Sequence, residues 1–155
     1  MPIRALPWDL SRTDPVSYIT QQQLIDRFGE PELIQLTDRD GSVGAIVPAV
    51  LDGAVADADG TIDAHLAGRY LLPLASVPRS LQRIAADLVR YHLYDSAAPD
   101  DIRIRYDDAL KFLRAAASGA IHLGVDALGL PATPAAGAEM QSGGRTFGRD
   151  DPSFI

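Results

Sequence analysis

"ADADGTIDAHLAGRYLLP", residues 56–73, decides how the rest of the chain is read. Asp57, Asp59, Asp63, His65 and Arg69 fall within thirteen positions of it, the density of an active site. The apolar spacing gives a different answer. With Leu51 as reference and a step of about 100° per residue, Leu51, Val55, Ala58, Ile62 and Leu66 fall on one stripe, the buried face of a helix. Asp52, Asp59 and Asp63 form a second line beside that stripe, and Asp57 points to the far side. The spacing predicts a helix from about Pro48 to Arg69. Gly53, Gly60 and Gly68 each cost it roughly 1 kcal/mol relative to alanine, which close helix approach or a kink near Gly60 would explain. Arg69 ends the helix on the stripe, as a cation suited to the negative helix terminus whose stem packs on the core, and Tyr70 follows.

Working outward, "YITQQQLIDRFG" opens a folded body. Thr20 with Gln23 makes a capping box, and Ile19 with Leu24 has the spacing of a hydrophobic staple. Leu24, Ile25 and Phe28 share a face, and Gly29 is a stop. "EPELIQLTD" is a second short helix with Pro31 in its first turn. Residues 38–45 read as a polar loop. Downstream, "YLLPLASVP" is a turn segment carrying Pro73 and Pro78. A fourth helix over 79–95 buries Leu81, Ile84, Leu88, Tyr91 and Tyr94, with Arg83 and Asp87 spaced to pair. A fifth begins at Pro99 with Asp100 and Asp101 in its first turn, buries Ile102, Tyr106, Ala109, Leu110, Leu113 and Ala117, and ends at Gly119. The fold class expected is all-α, a compact bundle of four to five helices with extended N- and C-terminal arms. The divisions are an N-terminal extension over 1–17, a helical domain over 18–125 and a C-terminal arm over 126–155.

The totals fit one domain: 155 residues, 46% of them hydrophobic. With no cysteine, disulfides and thiolate metal sites are excluded. The N-terminal stretch has no apolar run of the secretory kind, and no stretch has the length of a membrane span, so no membrane partner is expected. A net charge of −7 is a poor start for binding phosphates, and no Lys/Arg cluster is visible along the chain.

The acidic stretch fails the tests for chemistry. Counted from Asp57 or from Asp38, glycine is fourth rather than sixth, and the twelfth residue is Gly68 or Ala49 rather than glutamate, so neither is an EF-hand loop. Asp59 and Asp63 are four apart and have the spacing to share a cation, but His65 lies about 180–200° away around the axis. A solvated acidic face is the expectation. No nucleophile elbow and no phosphate-binding loop occurs. His92 and His122 lie in apolar surroundings that suit partly buried or interfacial histidines. No enzyme activity, metal or cofactor is expected.

Three blocks, "YITQQQLIDRFGEPELIQLTD", "AVADADGTIDAHLAGRYLLPLASVPRSLQRIAADLVRYHLYD" and "IRIRYDDALKFLRAAASGAIHLG", in this order resemble a family of phage and prophage proteins found with Mu-like head and tail genes. The run I-D-x-x-L-x-x-R-Y-x-L-P-L-x-x-V-P-x-x-L is the most specific part, and the resemblance covers roughly residues 18–125. The family is similar to the head–tail connectors of long-tailed phages, also called adaptors, head-completion or neck proteins. The resemblance implies a homo-oligomeric ring, twelvefold by expectation, beneath the portal protein. Such a ring extends the DNA channel and offers a platform to the next neck or tail protein, a stopper or tail terminator. It implies assembly in the host cytoplasm, a place in the virion neck, and viral DNA passing through the lumen without specific binding. It also implies that the C-terminal arm hooks into the portal.

In that arm Phe147 and Phe154 are candidate anchors, Arg145, Arg149, Asp150 and Asp151 candidate register charges, and Ile155 the last apolar side chain. Trp8, in the extension that the resemblance does not cover, and Asp52, Asp59 and Asp63 are candidates to face a neighbouring subunit or the channel. Thr20, Gly29, Arg69, Tyr70, Pro73 and Pro78 are structural caps and turns. Three other readings remain on the sequence: a stopper or tail-terminator-side neck protein, a small helical DNA-binding or regulatory protein, in which "LIDRFGEPELIQL" passes for a helix-turn-helix fragment, and a metal-dependent enzyme using Asp59, Asp63 and a histidine.

Overall fold

The computed structural model describes residues 17–94 and 97–125. These form five helices and no strand: α1 (Gln21–Phe28), α2 (Glu30–Thr37), α3 (Pro48–Leu66), α4 (Arg79–Leu93) and α5 (Asp100–Ser118). The expected all-α fold is what these residues adopt.

Local signals set the helix ends. The Thr20 hydroxyl accepts from the Gln23 N–H at 3.3 Å, and the Gln23 side chain accepts from the Thr20 N–H at 3.0 Å, so the capping box is closed. Ile19 and Leu24 are both buried, as a staple requires. Gly29, at φ +87°, ends α1 and begins α2, turning the chain in one residue. α5 stops at Gly119, which is left-handed at φ +83°.

The core is built on α3. Its buried residues are Leu51, Ala54, Ala58, Ile62 and Leu66, so the stripe takes Ala54 where the sequence suggested Val55, which is half-buried. α4 packs along α3, and α5 packs on both. Buried alanines, Ala54 and Ala58 on α3, Ala85 and Ala86 on α4, and Ala109 and Ala116 on α5, keep the facing surfaces low so that the leucines beside them interdigitate. The tyrosine rings of Tyr91 (α4) and Tyr106 (α5) stack at 3.9 Å. The α1–α2 corner is tied to α4 by Arg90, whose Nε is 2.6 Å from Glu32 and whose guanidinium lies over the Phe28 ring.

Four expectations are corrected. The glycines of α3 do not serve close packing: a Cβ at Gly53, Gly60 or Gly68 would meet nothing within 4 Å. α3 ends at Leu66, so Arg69 is not its capping cation. Arg69 is exposed, and its guanidinium instead lies over Gly119, at the negative end of α5. Arg83 and Asp87 form no ion pair among the described residues, because Asp87 turns inward and is buried. His122 lies beyond α5 and is exposed, while its neighbour Leu123 enters the core.

The glycines therefore predict substitutions of opposite sign. Gly53→Ala fills open space in a helix and should raise stability by up to about 1 kcal/mol. Gly119→Ala forces a side chain into a left-handed position within 3 Å of the Arg69 guanidinium and should lower it by about 1–2 kcal/mol. Urea unfolding of the two variants reads both values.

Candidate functional site: the Tyr18 anchor and its flanking clefts

The line of aspartates on α3 has a partner the spacing did not reveal. The chain enters the body at Tyr18, whose N–H donates to Asp59 Oδ1 at 3.1 Å and whose hydroxyl donates to Asp63 Oδ1 at 2.5 Å. One residue is thus held by main chain and side chain to two carboxylates a helical turn apart. Tyr18 is buried, and burial, reinforced by the hydrogen bond to Asp63, pushes its phenol far above the ordinary range. Burial also raises the Asp59 carboxyl, against the lowering effect of the Tyr18 N–H. The expectation of a solvated face holds for Asp52, which is exposed; it is corrected for Asp59 and Asp63, which latch the N-terminal entry.

Beside the latch is an open groove of about 380 Å³. Val55, Ala56 and Gly60 give it an apolar wall, and Asp52, Asp59 and Asp63 rim it. A second open cleft of about 400 Å³ is lined by Ile19 of the entry segment with Gln23, Asp26, Arg27, Arg79, Gln82 and Arg83. The chain shows no Lys/Arg run along its sequence, yet the fold gathers three arginines here. The three arginines come from α1 and α4, and among the described residues none of them makes an ion pair. Arg83 continues into a narrow cleft shared with Asp87, Arg105 and Asp108.

Asp87 is the most unusual carboxylate. It is 7% exposed, and its Oδ1 has no hydrogen-bond partner among the described residues. Burial raises its pKa, while Arg27, Arg105, Arg83 and Arg90 pull it down from a distance. Asp38, also buried, is fully used: its two oxygens accept the N–H groups of Ser42, Val43 and Gly44 and so close the 38–45 loop. Among the described residues no three of His, Asp and Glu come together as metal ligands. His65 instead bonds the Thr61 carbonyl through Nδ1 at 2.8 Å. Among the described residues no helix is long and apolar enough to cross a membrane. α2, the second helix of the helix-turn-helix fragment, carries Glu30 and Glu32 and no basic residue, the wrong charge for a phosphate-facing helix.

Of the other candidates, Tyr70 is buried, Pro78 precedes α4, and Pro73 lies in the turn between α3 and α4. Trp8 and the arm residues Arg145, Phe147, Arg149, Asp150, Asp151, Phe154 and Ile155 lie outside the described residues.

Comparison with known proteins finds a phage family over the region of the three sequence blocks. A profile described as "Bacteriophage Mu, Gp36" matches residues 18–142. The Mu-like prophage FluMu protein gp36 of Haemophilus influenzae is 36% identical over 135 residues, 87% of this chain and 95% of the relative. Gene product J of Escherichia phage Mu is 30% identical over 142 residues, 90% of this chain and all of the relative.

Two outcomes test the latch and its neighbour. Tyr18→Phe removes the donor to Asp63 and should cost about 1–2 kcal/mol in urea unfolding. For Asp87, a raised folded-state pKa means that the protonated carboxyl is favoured in the folded chain. Its stabilising contribution is then present below the unfolded value of 3.8 and is lost as pH rises through the folded pKa. Asp87→Asn should therefore be more stable than the parent at pH 7, by about 1 kcal/mol, with the gain vanishing as pH falls toward that value. Thermal unfolding of both proteins across that range checks it; a constant difference would sink the account.

Proposed function

This chain belongs to the bacteriophage Mu gp36 family, and from that membership we propose that it is a structural protein of the virion neck, a head–tail adaptor without catalytic activity. Copies assemble into a ring, twelvefold by expectation, beneath the portal protein. The ring extends the DNA channel and presents its far side to a stopper or tail terminator. The single observation that carries the reading is the family match across the whole helical body and beyond it, residues 18–142.

Physical features of the body support it. A ring of identical subunits joined head to tail needs unlike patches on each copy, and the acidic groove on α3 and the arginine cleft between α1 and α4 are unlike patches. The net charge of −7 suits a channel that lets DNA slide without gripping its phosphates. Of the three candidate aspartates, Asp52 is exposed at the groove rim and is the one available to a neighbour or to the lumen. The C-terminal arm, 126–155, reaches the portal, with Phe147 and Phe154 as its anchors and Ile155 beside them.

The test mixes the chain with the portal protein of the same phage and compares the full length with a version ending at Leu130, by sedimentation and electron microscopy. Rings on the portal for the full chain alone are the expected result. Rings from both would keep the adaptor and remove the arm from portal binding. Binding by neither would overturn the adaptor reading and move the protein to the tail side of the neck. Sequence-specific retardation of DNA in a gel would overturn it in favour of a regulatory protein.

A further inference from the structure

The cleft between α1 and α4 has a recognition chemistry that the ring reading does not use. Arg27, Arg79 and Arg83 are exposed around it and make no ion pair among the described residues, though Arg27 also lies over the Phe28 ring at 5.9 Å, and their planar forks suit carboxylates. One acid, Asp26, stands among them. Two amides complete the wall. Gln23 spends its oxygen on the Thr20 N–H and keeps its amide donor, and Gln82 makes no side-chain hydrogen bond among the described residues. Donors and acceptors together suit a peptide backbone, which offers both. A nucleic acid backbone offers acceptors only, and Asp26 would repel it. The fitting occupant is a short extended peptide with one cation beside paired carboxylates.

The chain carries that pattern at Arg149-Asp150-Asp151, followed by the apolar Phe154 and Ile155. We propose that the cleft of one copy takes the Arg149–Asp151 stretch of a neighbouring copy, with Asp150 and Asp151 against the arginines and Arg149 against Asp26. The inference rests on the ring reading, because it needs a neighbour at fixed distance. Residues 126–148, extended, reach up to about 80 Å from the end of the described body, enough to leave one subunit and arrive at the next. Held there, the stretch fixes Phe147 and Phe154 on either side of it, where they meet the portal.

The chain has no cysteine, so engineered pairs are clean probes. Two full-length variants are mixed, Gln82→Cys in one and Ser153→Cys in the other, the second carrying a size tag. They are oxidised mildly with and without portal protein, and ring formation is read separately by electron microscopy. The expected product is a disulfide heterodimer. Arg79→Glu with Arg83→Glu on the cleft side should reduce its yield about tenfold, and adding Asp150→Arg with Asp151→Arg on the tail side should restore it. Circular dichroism of each variant checks that the helices are kept. Absence of the heterodimer, or a yield indifferent to the charge reversals, overturns the inference whether or not rings form. A chain carrying both cysteines that closes only on itself overturns the assignment to a neighbour. Absence of rings on the portal counts against the ring reading instead.

Discussion

Everything in this domain hangs on α3 serving two edges at once. One edge buries Leu51, Ala54, Ala58, Ile62 and Leu66, and α4 and α5 need that stripe to complete their own packing. The adjoining edge presents Asp59 and Asp63 to Tyr18. The two duties are compatible because residues four apart stand in line along a helix, so each edge keeps its own row. Rotating the helix to bury the aspartates would expose the stripe, each of whose large side chains stabilises the fold by roughly 1.5–3 kcal/mol when buried. The apolar row therefore fixes where the carboxylates stand, and the carboxylates fix where the chain enters.

The parts of the fold that depend on near neighbours were legible in the sequence. Thr20, Gln23, Ile19, Leu24, Gly29 and Gly119 act through residues a few positions away, and each does what its local pattern says. The parts that were not legible join distant segments. Tyr18 meets α3 more than forty residues along, at separations of 41 and 45. Arg27 stands far in sequence from Arg79 and Arg83, so a chain scanned for basic runs shows none, while the fold collects the three in one cleft. Asp87 misled for another reason. Its spacing from Arg83 is right for a surface pair, but α4 is buried over an arc wide enough to take in Ala85, Ala86 and Asp87 together, and the pair is lost to burial. The glycines of α3 misled too, because packing was asked of them and alanines supply it.

Family membership and the surfaces bear on function at different scales. The family sets the biological setting: the relatives come from phage Mu and from a Mu-like prophage, and the likeness spans nearly all of each. The surfaces say what contacts the body is equipped to make. An arginine-lined recess at Ile19 and an acid-rimmed apolar groove at Ser17 give the described body surfaces of opposite character beside one entry segment. In a closed assembly such asymmetry orders the subunits in one direction of travel around the axis.

The latch at Tyr18 also has a mechanical meaning. Its two bonds end in the second half of α3, a helix fastened along its length to α4 and α5. A pull on whatever precedes Ser17 is therefore delivered to α3, packed on both α4 and α5, before it reaches the short helix α1. Both bonds to α3 must give before the load can begin to peel that helix from its first turn. The tyrosine thereby works as a strain relief, like the clamp on a cable where it enters its housing.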